Sequence, residues 1–282
     1  MPRIASLRRN RMKKKIKVGI IGGGTIGTAL AHAVVKDLKA FAQLKFLCEK
    51  HTEKAALLQK KFQFYARLVP LTELVRRSDL IIEAASPKVA AQVVKLASKW
   101  NKKVLIMSVG GLLQPPVVEI LRKNQSRIFC PSGAITGVDG VLAAANGKIR
   151  KVRLVTRKPP EALMGAAYFL KHPFPVLKSL TEERRVFCGV AADAIEHFPQ
   201  NINVAAVLSL AGVGPERTQV EIWTSRAYKG NRHEVTVEGD FGTFTTITQN
   251  RPAPGNPKTS YLAILSAIAT LKKAFASVRV GT

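Results

Sequence analysis

Six residues constrain this chain more than any others: Gly22-Gly23-Gly24-Thr25-Ile26-Gly27, a G-x-G-x-x-G run. The run directly follows a β-branched stretch at 15–21 that reads as a buried strand, and it opens an apolar stretch at 25–38 that reads as a helix. A strand that turns into a helix over three glycines uses each for a separate reason. One makes the tight turn, one lets backbone approach a pyrophosphate, and one lets helix and strand pack closely. The start of the helix then offers unpaired N–H groups and the positive end of its dipole to phosphates. An acidic residue about 20 positions later should accept the hydroxyls of the adenosine ribose. Glu49 lies 22 residues after Gly27, at the end of a second expected strand. Gly22, Gly24, Thr25, Ile26, Gly27 and Glu49 are therefore the candidate dinucleotide-binding residues. A carboxylate at 49 repels the extra phosphate of NADP, so NAD is the expected cofactor; the neighbouring Lys50 and His51 leave NADP possible.

The surrounding pattern continues the same architecture. Expected strands at 44–48, 80–84 and 104–109 alternate with expected helices at 53–62 and 88–100, which implies βαβ units and a parallel sheet. The near-continuous apolar run Leu80-Ile-Ile-Glu-Ala84 fits a strand covered on both faces. Ala84, Ala85 and Ser108 stand at strand ends on the carboxyl edge of that sheet, where such folds bind ligands, and are candidates for the nicotinamide half. After about residue 131 the pattern changes. Residues 152–156, 218–226 and 233–248 alternate polar and apolar, the last around a Gly239-Asp240 turn, as antiparallel strands with one solvated face do. Helices are expected at 161–170 and 191–197. A last helix opens at Asn256-Pro257, with Pro257 in its first turn and Leu262, Leu265, Ile268 and Leu271 at helical spacing. For 282 residues two domains are expected. The boundaries fall at 1–12 for a basic extension, 13–130 for the dinucleotide-binding domain and 131–255 for a second domain, with 256–282 forming the last helix.

Charge enters the argument because it is extreme. The formal net charge is +27, and setting aside the eight basic residues of 1–17 still leaves +19, so the excess is global. Such a field concentrates small anions. It also raises the alternative of a cofactor-sensing or nucleic-acid-binding protein, against which stand an aromatic content of 6% and the lack of a nucleic-acid-binding motif. The extension reads as a frayed basic terminus with Met12 as a candidate natural start; a nucleic-acid arm and a transit peptide are the alternatives. With 46% hydrophobic residues the chain is not globally disordered. Cys48, Cys130 and Cys188 are odd in number, far apart and without metal-ligand spacing. They argue against a disulfide framework or zinc site and for a reducing compartment, with Cys188 read as a buried free thiol. The uncharged stretch 18–35 is broken by glycines and reads as strand, turn and helix rather than a membrane span. A cytoplasmic protein with no metal and no membrane partner is expected.

Three segments of the second half are hard to explain as core or linker: Cys130-Pro-Ser-Gly-Ala-Ile-Thr-Gly-Val-Asp139, Phe198-Pro-Gln-Asn-Ile-Asn-Val-Ala-Ala206 and Asn256-Pro-Lys-Thr-Ser260. With the Gly-rich start they resemble the L-aspartate dehydrogenase family, over nearly everything from Lys13 onward. The resemblance implies NAD(P)-dependent oxidation of L-aspartate to iminoaspartate, which hydrolyses to oxaloacetate and ammonia or feeds NAD biosynthesis through quinolinate. It implies a homodimer, and a Rossmann domain joined to an α/β domain with an open mixed sheet, the last helix returning to the first domain. It also implies cofactor contacts at Ala134 and Asn203 and a catalytic role for His233.

The residues make their own case for the proton chemistry. Oxidising an amine to an imine requires loss of a proton from the ammonium, and histidine suits that work near neutral pH. Of the five histidines, His32 lies in the first helix, His51 follows the ribose position and His172 precedes a proline. His197 is the rival to His233. A dicarboxylate needs two clamps. Lys258, Thr259 and Ser260 at the expected start of the last helix are candidates, although Thr259 and Ser260 suit ordinary capping equally well. Ser132 and Asn201 are further candidates, and no arginine stands out by position. The alternatives are reductases of the dihydrodipicolinate reductase or homoserine dehydrogenase type, which share the Rossmann start, or the non-enzymatic protein raised by the charge.

Overall fold

Short apolar strands separated by helices build the first sheet of the computed structural model, which describes residues 14–123, 127–166, 168–171, 182–198 and 203–281. In chain order these are β1 (Ile16–Ile21), α1 (Thr25–His32), β2 (Ala42–Cys48), α2 (Thr52–Phe62), β3 (Arg67–Leu68), α3 (Leu71–Arg77), β4 (Leu80–Glu83), α4 (Pro87–Lys99), β5 (Lys103–Ile106), α5 (Pro115–Lys123) and β6 (Ile128–Phe129). Helix α1 runs on through a π-helical turn, Ala33–Asp37, so the expected helix at 25–38 is present as far as Asp37, with Leu38 as its cap. All strand pairs are parallel, in the order β3-β2-β1-β4-β5-β6. This is the doubly wound Rossmann order, and the chain reverses direction across the sheet between β1 and β4. Val18, Ile20, Ile81 and Ile82 are all within 1% of complete burial, as a sheet covered on both faces demands.

The second half begins with α6 (Val138–Ala144) and β7 (Ile149–Lys158), followed by α7 (Tyr168–Lys171), β8 (Arg184–Val190), α8 (Ala191–His197), α9 (Asn203–Ala211), β9 (Thr218–Thr224), β10 (Arg232–Gly239) and β11 (Gly242–Gln249). Its sheet has the order β11-β10-β7-β9-β8 and is mixed: β7 and β9 are parallel, the other pairs antiparallel. The chain between β7 and β9 crosses by helices, which is what a parallel neighbour requires. Alternation gives this sheet one buried face. Val152 and Leu154, Val220 and Ile222, and Val235 and Val237 pack in one cluster with Val141 of α6, Ala194 of α8 and Leu208 of α9.

The chain closes with a small hairpin, β12 (Pro252–Ala253) and β13 (Asn256–Ser260), and with α10 (Tyr261–Lys273). Ala267 and Leu271 of α10 lie in the same cluster as Val18, Leu30 and Leu44, so the last helix packs on the first sheet.

Four expectations are corrected. Residues 256–260 are a strand, not the opening of a helix, and Pro257 does not sit in a first turn. Asn256 Oδ1 accepts the Lys258 N–H at 3.1 Å, an Asx turn that competes with helix geometry. Leu265, placed on the buried stripe of that helix, is 43% exposed; with the later start, Ile264, Ala267 and Leu271 face inward. The helix expected at 161–170 is a 3-10 turn at Pro160–Ala162 and the separate α7, the two broken at Gly165, whose φ is +82°. Cys188 is exposed on β8 rather than buried. Residues 1–12, His172 and Asn201 lie outside the described residues. No helix among the described residues is long and apolar enough to cross a membrane.

Candidate active site

The Gly-rich turn lies at the carboxyl end of β1. Gly22 has a φ of +93°, and a Cβ there would come 2.5 Å from the Ala84 carbonyl oxygen. A Cβ on Gly27 would overlap the carbonyl oxygen of Gly22, whereas one on Gly24 would meet nothing within 4 Å. The loop is thus packed tightly against its own sheet and open on the side where α1 begins. Gly24 flanks α1 with no side-chain cap, so the first N–H groups of the helix are available to an anion. Glu49, at the end of β2, accepts the Gly23 N–H at 2.5 Å and the His51 N–H at 3.1 Å. Burial opposes ionisation of its carboxyl, but hydrogen bonds from Gly23, His51 and Lys50 and the Lys54 charge outweigh it and hold the pKa below the usual value. Loop and carboxylate together fit the pyrophosphate and ribose of a dinucleotide.

On the other side of β1, a second carboxylate organises the next two loops. Glu83 ends β4 with no exposed surface and accepts hydrogen bonds from Ala85 N (2.8 Å), Ser86 N (3.0 Å), Ser108 N (3.0 Å) and Ser108 Oγ (2.9 Å). Beyond Ser108, the Gly110 N–H donates to Oδ1 of Asn203, at the start of α9, at 3.2 Å. Ala84, Ala85, Ser108 and Asn203 are therefore brought to one edge.

The second sheet contributes a polar end to an otherwise apolar face. Along β7 the inward phase runs Val152, Leu154, Thr156, Lys158. In register with Thr156 on β10 is His233, which is 2% exposed, and its Nδ1 lies 3.0 Å from Thr156 Oγ1. Burial, with the nearby Lys158 charge, pushes the His233 pKa down to about 3. Burial likewise lowers Lys158, to about 8. A pocket of about 410 Å³ opens at this end of the sheet. Its walls include Pro159 next to Lys158, Asn231 two residues before His233, and Asn250 two residues after Thr248, the β11 partner of His233. Lys258, Thr259 and Ser260 line it as well, not as a helix terminus but as β13. Three cations, Lys229, Arg251 and Lys258, face one acid, Glu161.

Asparagines stitch the pieces together. Asn250 donates from Nδ2 to the Ala134 carbonyl at 2.9 Å and accepts the Ser260 hydroxyl at 2.5 Å. Asn256 donates to Thr25 Oγ1 at 3.0 Å, which ties the pocket strand to the Gly-rich turn. Ser132 is half-buried on the segment leading to Ala134. Among the described residues, no group of three or more His, Cys, Asp or Glu is placed to hold a metal ion.

Sequence reasoning missed Glu83, Thr156, Lys158, Lys229, Asn250 and Arg251. Two carried a signal: Glu83 is a charge inside an apolar strand, and Lys158 a charge on the inward phase of an alternating one. A buried neutral imidazole also has a consequence for stability. The folded pKa of His233 lies below the unfolded value of about 6.5, so the unfolded chain takes up the extra proton as pH falls between the two. Its contribution is present above pH 6.5 and lost toward pH 3. Stability measured by urea unfolding should be about 2 kcal/mol lower at pH 5 than at pH 7 from this group alone, and His233→Gln should flatten that interval.

Residues 139–274 match the family described as "Aspartate dehydrogenase, C-terminal", and residues 17–110 the family "NADP oxidoreductase coenzyme F420-dependent". The chain is 41% identical to the L-aspartate dehydrogenase of Methanosarcina mazei, across 95% of this chain and 100% of that protein. It is 37% identical to the L-aspartate dehydrogenase of Bradyrhizobium diazoefficiens, across 95% of each. Among solved structures, the aspartate dehydrogenase of Thermotoga maritima superposes with a TM-score of 0.70 at 23% identity, over 95% of this chain and 100% of that one. The scyllo-inositol dehydrogenase of Lactobacillus casei does so at 0.55 and 15% identity, over 94% and 88%. These two structural likenesses show the fold.

Proposed function

The chain belongs to the L-aspartate dehydrogenase family, and on that premise we propose that it oxidises L-aspartate to iminoaspartate, using NAD in preference to NADP. The observation that carries this reading is the strand Asn256–Ser260. One end holds Thr25 at the dinucleotide loop; the other walls a pocket that carries Lys229, Arg251 and Lys258 and includes Asn231, two residues before His233. A site that joins a dinucleotide cradle to a pocket for a small dianion is what this reaction needs. The second half, where the C-terminal family match falls, separates it from reductases that share only the first.

When bound, the nicotinamide ring supplies the hydride acceptor for Cα. The protein supplies the rest. Arg251, Lys229 and Lys258 offer positive charge to the two carboxylates, with Arg251 able to bind one bidentately. Thr259 and Ser260 add hydroxyls, and Ser132 and Asn201 remain candidates for the same task. Ala134 and Asn203, each fixed by a hydrogen bond, hold the inner face against the dinucleotide. His233 is neutral at working pH. With Nδ1–H donated to Thr156, its Nε2 is the base that takes the ammonium proton; burial and the Lys158 charge lower its basicity in the empty site, and the substrate carboxylates, by offsetting that charge, raise it on binding.

Residues 13–130 with 256–282 form the dinucleotide-binding unit in this proposal, and 131–255 the catalytic and dimerisation unit. Support for the first comes from α10, which packs on the first sheet. For the second, edge strand β11 and its turn leave Phe241 and Ile247 exposed.

The reading is tested by nicotinamide reduction with L-aspartate, D-aspartate, L-glutamate, L-alanine and L-homoserine, each with NAD and NADP. Turnover confined to L-aspartate is expected; turnover with another amino acid alone, or with none, overturns it. The cofactor preference rests on Glu49. Glu49→Ser should raise KM for NAD about tenfold, the worth of one or two ribose hydrogen bonds, and improve kcat/KM with NADP by removing the repelling charge. The ratio of kcat/KM values for the two cofactors reads this directly.

A further inference from the structure

Glu83 is a charge where the fold does not require one. Strand β4 is otherwise apolar, and its end is already held by backbone bonds, Ala84 N to Ile21 O at 2.9 Å and Met107 N to Glu83 O at 3.0 Å. Burying a carboxylate costs several kcal/mol unless donors surround it. Here four do, three of them backbone N–H groups that cannot reverse their role. That donor set fits a carboxylate and not a carboxylic acid. Burial is the largest influence and holds the Glu83 pKa above the ordinary carboxyl value, with the four donors acting against it in favour of the charged form.

Its position gives the charge a use. Glu83 is in register with Ile21, immediately before the Gly-rich turn. Glu49 and the turn take the adenosine ribose and pyrophosphate on the β1–β2 side, so the remaining half of a dinucleotide extends over the carboxyl ends of β4 and β5. Ala84, Ala85 and Ser108, the residues there, are the ones whose backbone or hydroxyl Glu83 touches or adjoins. The oxidised nicotinamide ring carries a positive charge and the reduced ring none. In a protein of net charge +27 the general field disfavours the cationic ring.

We propose that Glu83, as a buried carboxylate beneath the ends of β4 and β5, biases this site toward binding the oxidised dinucleotide over the reduced one. This rests on the dinucleotide-binding reading above. It makes Glu83 a positioning and charge-setting residue, not one that touches substrate.

The test is a pair of dissociation constants, for NAD by calorimetry and for NADH by its own fluorescence, in wild type and Glu83→Gln. The ratio Kd(NAD)/Kd(NADH) should rise about tenfold in the variant, mainly through weaker NAD binding. Glu83→Asp keeps the charge in a shorter side chain, so its ratio should stay near the wild-type value. An unchanged ratio in Glu83→Gln, or an equal change in Glu83→Asp, overturns the proposal. Failure of the wild-type protein to bind either dinucleotide would instead overturn the dinucleotide reading. Should Glu83→Gln not fold, the wild-type protein answers the same question with a dinucleotide carrying benzamide in place of nicotinamide, uncharged but of the same shape. It should bind about tenfold more weakly than NAD, and equal affinity overturns the proposal.

Discussion

His233→Ala is expected to lower kcat with L-aspartate by about a thousandfold, in the middle of the range for removal of a general base, while NAD still binds. The imidazole is 2% exposed, hydrogen-bonded to Thr156 and kept neutral by burial and the Lys158 charge. A proton acceptor with those properties is not replaced by solvent, which the packing excludes. Truncation also leaves a cavity, so His233→Asn is the companion variant: similar in reach, unable to take the proton, and expected to be as slow. Steady-state rates and NADH titration on both variants check the assignment. An unchanged rate would move the role to His197. That residue's ring sits 5.5 Å from Tyr168, beside a cluster of Phe169, Phe187 and Phe198, the surroundings of a packing residue more than of a base.

Gly27→Ala should destabilise the protein by about 3 kcal/mol or more and abolish dinucleotide binding. The added methyl would overlap the Gly22 carbonyl oxygen, and Gly22, at φ +93° with room for no side chain beside the Ala84 carbonyl, leaves the loop little space to retreat. Backbone meets backbone, so no side-chain rotation relieves the clash. Gly24→Ala offers the contrast, since its methyl meets nothing within 4 Å. It should unfold near the wild-type temperature yet bind NADH poorly, because the methyl enters the space left for the phosphates. Thermal unfolding and NADH fluorescence on the pair separate the two jobs of the loop. Equal melting temperatures for both variants would contradict the geometry.

The first sheet was readable because its signals are local. Three glycines between a strand and a helix admit few backbone paths, and β-branched runs such as Lys17-Val-Gly-Ile-Ile21 announce buried strands. The second half hid more. Helix α9 is apolar on nearly every side, from Val204 to Leu208, so it lacks the contrast that marks a helix. Strand β8 buries only Val186 and Phe187 in succession, across a register shift, and so breaks alternation. At 256–260 a helix-start composition lost to an Asx turn and a bond to Thr25, 231 residues away. Arg251, the arginine that position did not reveal, becomes a pocket wall only after the β12–β13 hairpin has folded back. His233, Lys258, Thr259 and Ser260 could be named from the sequence, but the cations and asparagines around them are products of long-range contact.

The placement of α10 has a consequence for synthesis. Ala267 and Leu271 complete a cluster that begins at Val18, 249 residues earlier in the chain. A ribosome adding roughly 5–20 residues per second delivers those side chains about 12–50 s after Val18. From the completion of β6 at Phe129 until then, the first sheet carries an uncovered apolar face around Leu30 and Leu44. The nascent protein is therefore exposed to misassociation until α10 emerges, and that helix acts as the closing piece of its earliest domain.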